Sequence, residues 1–135
     1  MTTRKTGTAR RTWTAGAAIL AAMVVCGAQK PSAKFTELQR HDLTVSSGEG
    51  VSMLIEIPAG GVSARHSHPG EDFGYLLQGT IVLEVDGYPP QTVKAGETFF
   101  TPRGHFHNAR NIGKTTARAI DTYIIDKGKP VVIPE

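Results

Sequence analysis

A single cysteine, Cys26, excludes a disulfide framework for this chain. Acidic residues are missing from residues 1–28, which carry four basic ones: Arg4, Lys5, Arg10 and Arg11. A long hydrophobic run is missing too. The uncharged, alanine-rich stretch from Thr12 to Gln29 has its apolar centre at Ala15 to Val25, about half the roughly 20 residues that a spanning helix needs. A basic start, a short apolar centre and the small residues Cys26-Gly27-Ala28 read as a secretory signal peptide. Cleavage after Ala28 leaves one domain, residues 29–135. The rival readings are a retained membrane anchor and a lipoprotein acylated at Cys26. Against the second stands Val25, where a small residue is expected. Arg10-Arg11-Thr12-Trp13 suggests twin-arginine export but lacks the usual downstream lysine.

The chain also lacks a basic patch once this segment is set aside. Taking its four basic residues from the total of 15 leaves 11 against 12 acidic ones. The high pI belongs to the leader, and no nucleic-acid partner is expected. The expected location is outside the cytoplasm, periplasmic or secreted, with no membrane attachment after cleavage. A mature domain of this size buries a modest core and gains from pairing with a second copy.

No segment after Ala28 sustains a helical period, and no repeat or low-complexity tract occurs. What remains is β signal. Val51–Ile57 alternates with Val51, Met53, Ile55 and Ile57 on one face. Further strands are expected at 62–68, 73–78, 80–86, 91–94, 98–101, 105–111 and 117–125, with turns at Pro58–Gly61, Pro69-Gly70, Gly79, Asp86–Pro90 and Ala95-Gly96. Lys34–Leu43 reads as extended, and the tail around Pro130–Pro134 as a short edge strand, where proline is tolerated. Many short strands with frequent turns predict an all-β sandwich or barrel. The aromatics Phe73, Tyr75, Phe99, Phe100, Phe106 and Tyr123 are expected mostly in the core, with Tyr75 and Phe100 as candidate pocket walls.

Four of the five histidines form two His-x-His pairs, His66/His68 and His105/His107. Residues i and i+2 of a strand share a face, roughly 6.5–7 Å apart. His66 and His68 can therefore grip one ion. Pro69-Gly70 then turns the chain so that Asp72 or Glu71 comes up beside them, and His107 arrives from a distant hairpin. Three imidazoles and one carboxylate suit a divalent transition metal: Fe, Mn, Ni, Cu or Zn.

The stretch Gly60–Asn111 resembles the paired motifs of the cupin superfamily. Gly60, His66, His68 and Gly79 fall on the first motif, with Asp72 at its acidic position. Gly96, Pro102, Gly104, His107 and Asn111 match the second throughout, and the 16 residues between Gly79 and Gly96 fit the spacer of small one-domain cupins. The resemblance implies a double-stranded β-helix, or jelly-roll, barrel with the metal inside, held by His66, His68, Asp72 and His107. It departs from the family pattern at Asp72, where a glutamate is usual. Asp72 as ligand, Glu71 in its place, or no protein carboxylate are the three readings of that position. His105 occupies a variable place and reads as a rim histidine, His41 as solvated or structural, and Asn111 as a turn or supporting residue.

The resemblance permits dioxygenases, isomerases and decarboxylases, so fold does not settle the chemistry. The expectation is an exported metal-binding cupin acting on a small molecule as an oxygenase or isomerase. The rivals are a non-catalytic metal or ligand binder and a structural or regulatory barrel without metal. A homodimer is implied by the family, with the edges at Lys34–Leu43 and Pro130–Pro134 as its expected contacts.

Overall fold

The computed structural model describes residues 29–135, so the leader reading of residues 1–28 lies outside the described residues. Ten strands follow in order: β1 (Lys34–Asp42), β2 (Gly48–Ile57), β3 (His66–Ser67), β4 (Gly70–Gln78), β5 (Thr80–Val85), β6 (Gln91–Lys94), β7 (Thr98–Thr101), β8 (His107–Asn111), β9 (Ala117–Asp126) and β10 (Ile133–Pro134). No helix occurs among the described residues, and none is long and apolar enough to cross a membrane. The strands form two five-stranded antiparallel sheets, β1-β2-β9-β4-β7 and β10-β3-β8-β5-β6. This is the jelly-roll barrel that the resemblance implies.

Period-two burial builds the interior. Val51, Met53, Ile55 and Ile57 of β2 are buried, as are Ala117, Ala119, Tyr123 and Ile125 of β9 and Ile81 and Leu83 of β5. Each fully buried Val, Leu or Ile contributes about 1.5–3 kcal/mol, which is what holds two short-stranded sheets face to face. The connections obey their turn chemistry. Gly104 has φ +74 in the turn between β7 and β8, a conformation that only glycine adopts without strain. Its N–H donates to the His68 carbonyl at 3.0 Å, which ties the loop before His107 to the first histidine pair. Asn111, buried at the end of β8, donates from Nδ2 to the carbonyls of Ile57 (2.8 Å), Pro58 (3.1 Å) and Thr115 (2.7 Å) and accepts from Gly113 N–H (2.8 Å). It pins three turns and faces no ligand.

Two expectations need correction. The strand expected over 62–68 is regular only at His66–Ser67. Upstream, Ser63 N–H donates to Ala109 O at 2.9 Å, but the returning Ala109 N–H goes to Ser63 Oγ at 2.8 Å. A side chain thus replaces a carbonyl and breaks the ladder. Phe73, Tyr75 and Phe100 are neither core nor wall of the interior cavity, and border hollows on the outer surface instead. They are 53%, 45% and 46% exposed. On β4 the inward set is Gly70, Asp72, Gly74 and Leu76, so parity sends Phe73 and Tyr75 to the outer face. There Phe73 and Phe100 pack on each other, ring centroids 5.1 Å apart.

Candidate metal centre

His66 lies in β3 and is paired directly with His107 of β8, while His68 follows β3 by one residue. One donor atom from each of the three imidazoles falls within 4.8 Å of the others. The expected trio is therefore assembled from two segments about 40 residues apart in sequence, brought together by one antiparallel register.

The rings are also oriented. His66 Nδ1 lies 2.6 Å from Ala64 O, His68 Nδ1 2.6 Å from Val131 O, and His107 Nδ1 3.0 Å from His105 O. A carbonyl only accepts, so each Nδ1 carries the proton and each Nε2 is left as an electron-pair donor. This is the outer support expected of metal-binding histidines. His68 Nε2 is buried and has no partner in the protein. Burial holds the imidazoles in the neutral form that binds an ion: it pushes His68 down to about 3 and His107 down to about 4, and lowers His66. The donor set thus fits a divalent transition metal, in charge state, tautomer and spacing.

Asp72 is 2% exposed on the inward face of β4, with Oδ2 3.9 Å from His68 Nε2. It stands beside the trio but is not a member of the 4.8 Å set. Glu71 takes the opposite face of the strand. His105 is outside the trio: its Nδ1 donates to Asp86 O at 3.0 Å, and its ring meets Tyr88 edge-on at 5.6 Å. His41 is exposed on β1.

Three residues escaped the sequence reading as site residues. Asp121 of β9 is 6% exposed and lines the same cavity as His66, His107 and Asp72. Tyr123, two residues on, donates its hydroxyl to Asp121 Oδ2 at 3.2 Å and packs on His68 at 4.5 Å. Thr101 is fully buried opposite Asp72 in the β4–β7 register. Burial raises the Asp72 and Asp121 carboxyls; the charge of Asp121 raises Asp72 further, while the Tyr123 hydroxyl partly offsets the rise at Asp121. The signal for Asp121 was present: Ala117, Ala119, Asp121, Tyr123 and Ile125 share one face, so it is the single acid on an inward-facing apolar row.

The cavity is small, about 30 Å³, with room for about two water molecules. Beyond the polar end its walls are apolar, with the short side chains Ala109, Ala117 and Ala119 leaving what room there is.

A family model described as a Cupin domain matches residues 53–123. The germin-like protein 3-5 of Oryza sativa subsp. japonica is 33% identical over 94 residues, covering 63% of this chain and 41% of the relative. The oxalate oxidase GF-2.8 of Triticum aestivum is 30% identical over 108 residues, covering 73% and 48%. The chain thus spans about half the length of the curated relatives it matches. Among solved structures, the DMSP lyase DddQ from Ruegeria pomeroyi DSS-3 superposes with a TM-score of 0.57 at 26% identity, over 65% of this chain and 44% of that one.

Proposed function

The chain belongs to the cupin family, and from that premise we propose that it is an exported enzyme that uses a divalent transition metal to convert a small oxygenated organic acid, as an oxygenase or isomerase. His66, His68 and His107 hold the ion, and Asp72 supplies the carboxylate, directly or through water. The observation that carries the reading is the shared fastening of the trio, three Nδ1 atoms held to backbone carbonyls with one nitrogen of each ring within 4.8 Å of the others. An ion bound there acts as a Lewis acid or redox centre.

The protein's own groups do the rest. The carbonyls of Ala64, Val131 and His105 fix the ligand geometry. Phe35 closes over His66 edge-on at 5.8 Å, and the apolar lining excludes bulk water from the reacting end. The small cavity suits a short molecule, in keeping with a relative named for oxidising oxalate. Export rests on the composition of residues 1–28.

A second copy is the expected partner. Phe73, Tyr75, Leu77 and Phe100 give the outer face of β4 and β7 a group of exposed apolar side chains, a type of surface that marks an interface. Edges are also open at β1 and β10.

One observation favours a second reading, a non-catalytic metal or ligand binder: Asp72 stands apart from the 4.8 Å set. Elemental analysis of the mature protein from metal-replete medium tests the metal site, and one equivalent is expected. A metal content below about 0.2 equivalents would sink the enzyme reading and the metal-binding form of the second, leaving only a binder of a small ligand. With metal present, oxygen uptake and product analysis across short keto, hydroxy and dicarboxylic acids separate them: turnover of none favours the binder.

A further inference from the structure

Among the described residues, four buried side-chain atoms have no hydrogen-bond partner: His68 Nε2, Asp72 Oδ1, Thr101 Oγ1 and Asp121 Oδ1. Unmatched buried polar atoms are rare and costly, and two of the four, on Asp72 and Asp121, belong to residues that line the cavity. An ion on the trio accounts for His68 Nε2, and Asp72 and Thr101 stand next to it in register. Asp121 is different. It comes from β9, two residues away from the row that holds Asp72 and Tyr123, and is paired with Gly74. It lines the cavity, and one of its oxygens is already tied back by the Tyr123 hydroxyl. The other oxygen is buried and has no hydrogen-bond partner in the protein.

We propose that Asp121 Oδ1 is a ligand subsite that receives the hydroxyl of a short hydroxy acid whose carboxylate end lies at the histidine trio. This rests on the metal-centre reading. A hydroxyl both donates and accepts, so it satisfies the carboxyl whether or not that group carries a proton. A second carboxylate or a phosphate placed there would meet the paired acids Asp72 and Asp121, and a methyl would leave the oxygen unmatched. The alanine-lined apolar remainder admits only a short carbon skeleton. Asp121 then selects among small acids, while the imidazoles bind what they share.

The test compares L-lactate with propionate, which differ by one hydroxyl, by calorimetry on metal-loaded protein. Wild type prefers lactate. Part of that preference is chelation by the ion, which is common to all variants, so the readout is how the preference changes. Asp121→Ala should keep its metal and its affinity for propionate and lose about tenfold of the lactate preference, the worth of one buried hydrogen bond to a carboxyl. Asp121→Asn, which still donates and accepts, should recover most of it. Asp121→Val, close to the wild-type volume, replaces the alanine variant if that one fails to fold. A preference unchanged within twofold in an Ala or Val variant loaded at saturating metal overturns the assignment, as does failure of that variant to load at saturation. A wild-type protein that binds no metal overturns this proposal together with the metal centre. A metal-loaded wild type indifferent to the hydroxyl overturns this proposal alone.

Discussion

Replacing Asp121 with asparagine should stabilise the metal-free protein, and the gain should depend on pH in one direction only. Burial moves the carboxyl from 3.8 to about 7. Over that interval the folded state retains a proton that the unfolded chain has lost, so the carboxyl costs roughly 1.4 kcal/mol per pH unit as pH rises. By pH 8 the full penalty is about 4 kcal/mol. Asp72 remains as a second buried acid, so the amide relieves only part of this, on the order of 2 kcal/mol. Asparagine keeps an acceptor for the Tyr123 hydroxyl, so that bond is not lost. For a domain of about 100 residues the expected gain in Tm is about 10 °C. The sign follows from the raised value: a carboxyl whose folded pKa lies above its unfolded one penalises folding at high pH, and the penalty fades as pH falls through 7 toward 4. Asparagine has no such dependence. The Tm difference between variant and wild type should therefore be widest at pH 8 and close toward pH 4.5. Histidine titration is common to both proteins and cancels in the difference. The assay is thermal unfolding of chelator-treated protein from pH 4.5 to 8. A variant less stable than wild type at pH 8, or a difference that widens on acidification, would refute the picture of a carboxyl buried without a partner.

Four further outcomes follow from the same geometry. His107→Ala should abolish metal occupancy by elemental analysis while the circular dichroism of the barrel persists; full metal retention would refute the trio. Wild type should hold its metal well below the ordinary histidine range, because protons compete with the ion for His68 and His107 only near pH 3–4; half-release near pH 6.5 in a dialysis series would contradict the burial argument. Truncation after Lys129 removes the Val131 carbonyl that orients His68, and metal affinity should fall about 10- to 100-fold in competition with a chelator. Phe73→Ser combined with Phe100→Ser should turn a dimer into a monomer in sedimentation, since both rings lie exposed on the outer face; an unchanged sedimentation coefficient would move the interface elsewhere.

Strand positions were legible because they are local. The turn residues at Gly79, Gly96 and Pro102–Gly104 and the alternation in β2 mark elements without knowledge of the rest of the chain. The histidine trio was legible for a different reason: His66 and His68 share a face by parity, and the second motif supplies His107. Which face of β4 turns inward was not legible. Its inner row contains Gly74, which offers no apolar side chain, so the aromatic Phe73 and Tyr75 looked like the core. The structure explains the glycine. A Cβ there would sit 2.0 Å from the Phe99 ring, so Phe99, reaching across from β7, fills the space that a β4 side chain would occupy. A hydrophobic count along one strand cannot see a ring supplied by its neighbour.

Asp121 differs from that case, because the pattern of its own strand was sufficient to mark it. An acid between Ala119 and Tyr123 on an apolar row violates the binary pattern of a barrel strand. Such violations are expected where function requires them and stability is sacrificed. Glu56 and Glu84 illustrate the contrast: each sits on the outward parity of its strand and finds an arginine, Arg118 at 2.7 Å and Arg110 at 3.3 Å. A carboxylate with a guanidinium partner at the surface has an ordinary structural explanation. Asp121 has only a tyrosine hydroxyl on one oxygen and a second acid nearby. The two buried acids line a cavity bordered by the imidazoles of His66 and His107, with His68 beside Asp72. An ion held by the imidazoles would match their free electron pairs and offset the acids' mutual repulsion. The proposed metal site would then be coupled to the acid pair, and removing either should change the other. The affinity of Asp121→Asn for a divalent metal should therefore fall relative to wild type at pH 8, where the acids are most ionised, and match it at pH 5. Equal affinities at both pH values would separate the two groups and confine Asp121 to ligand recognition.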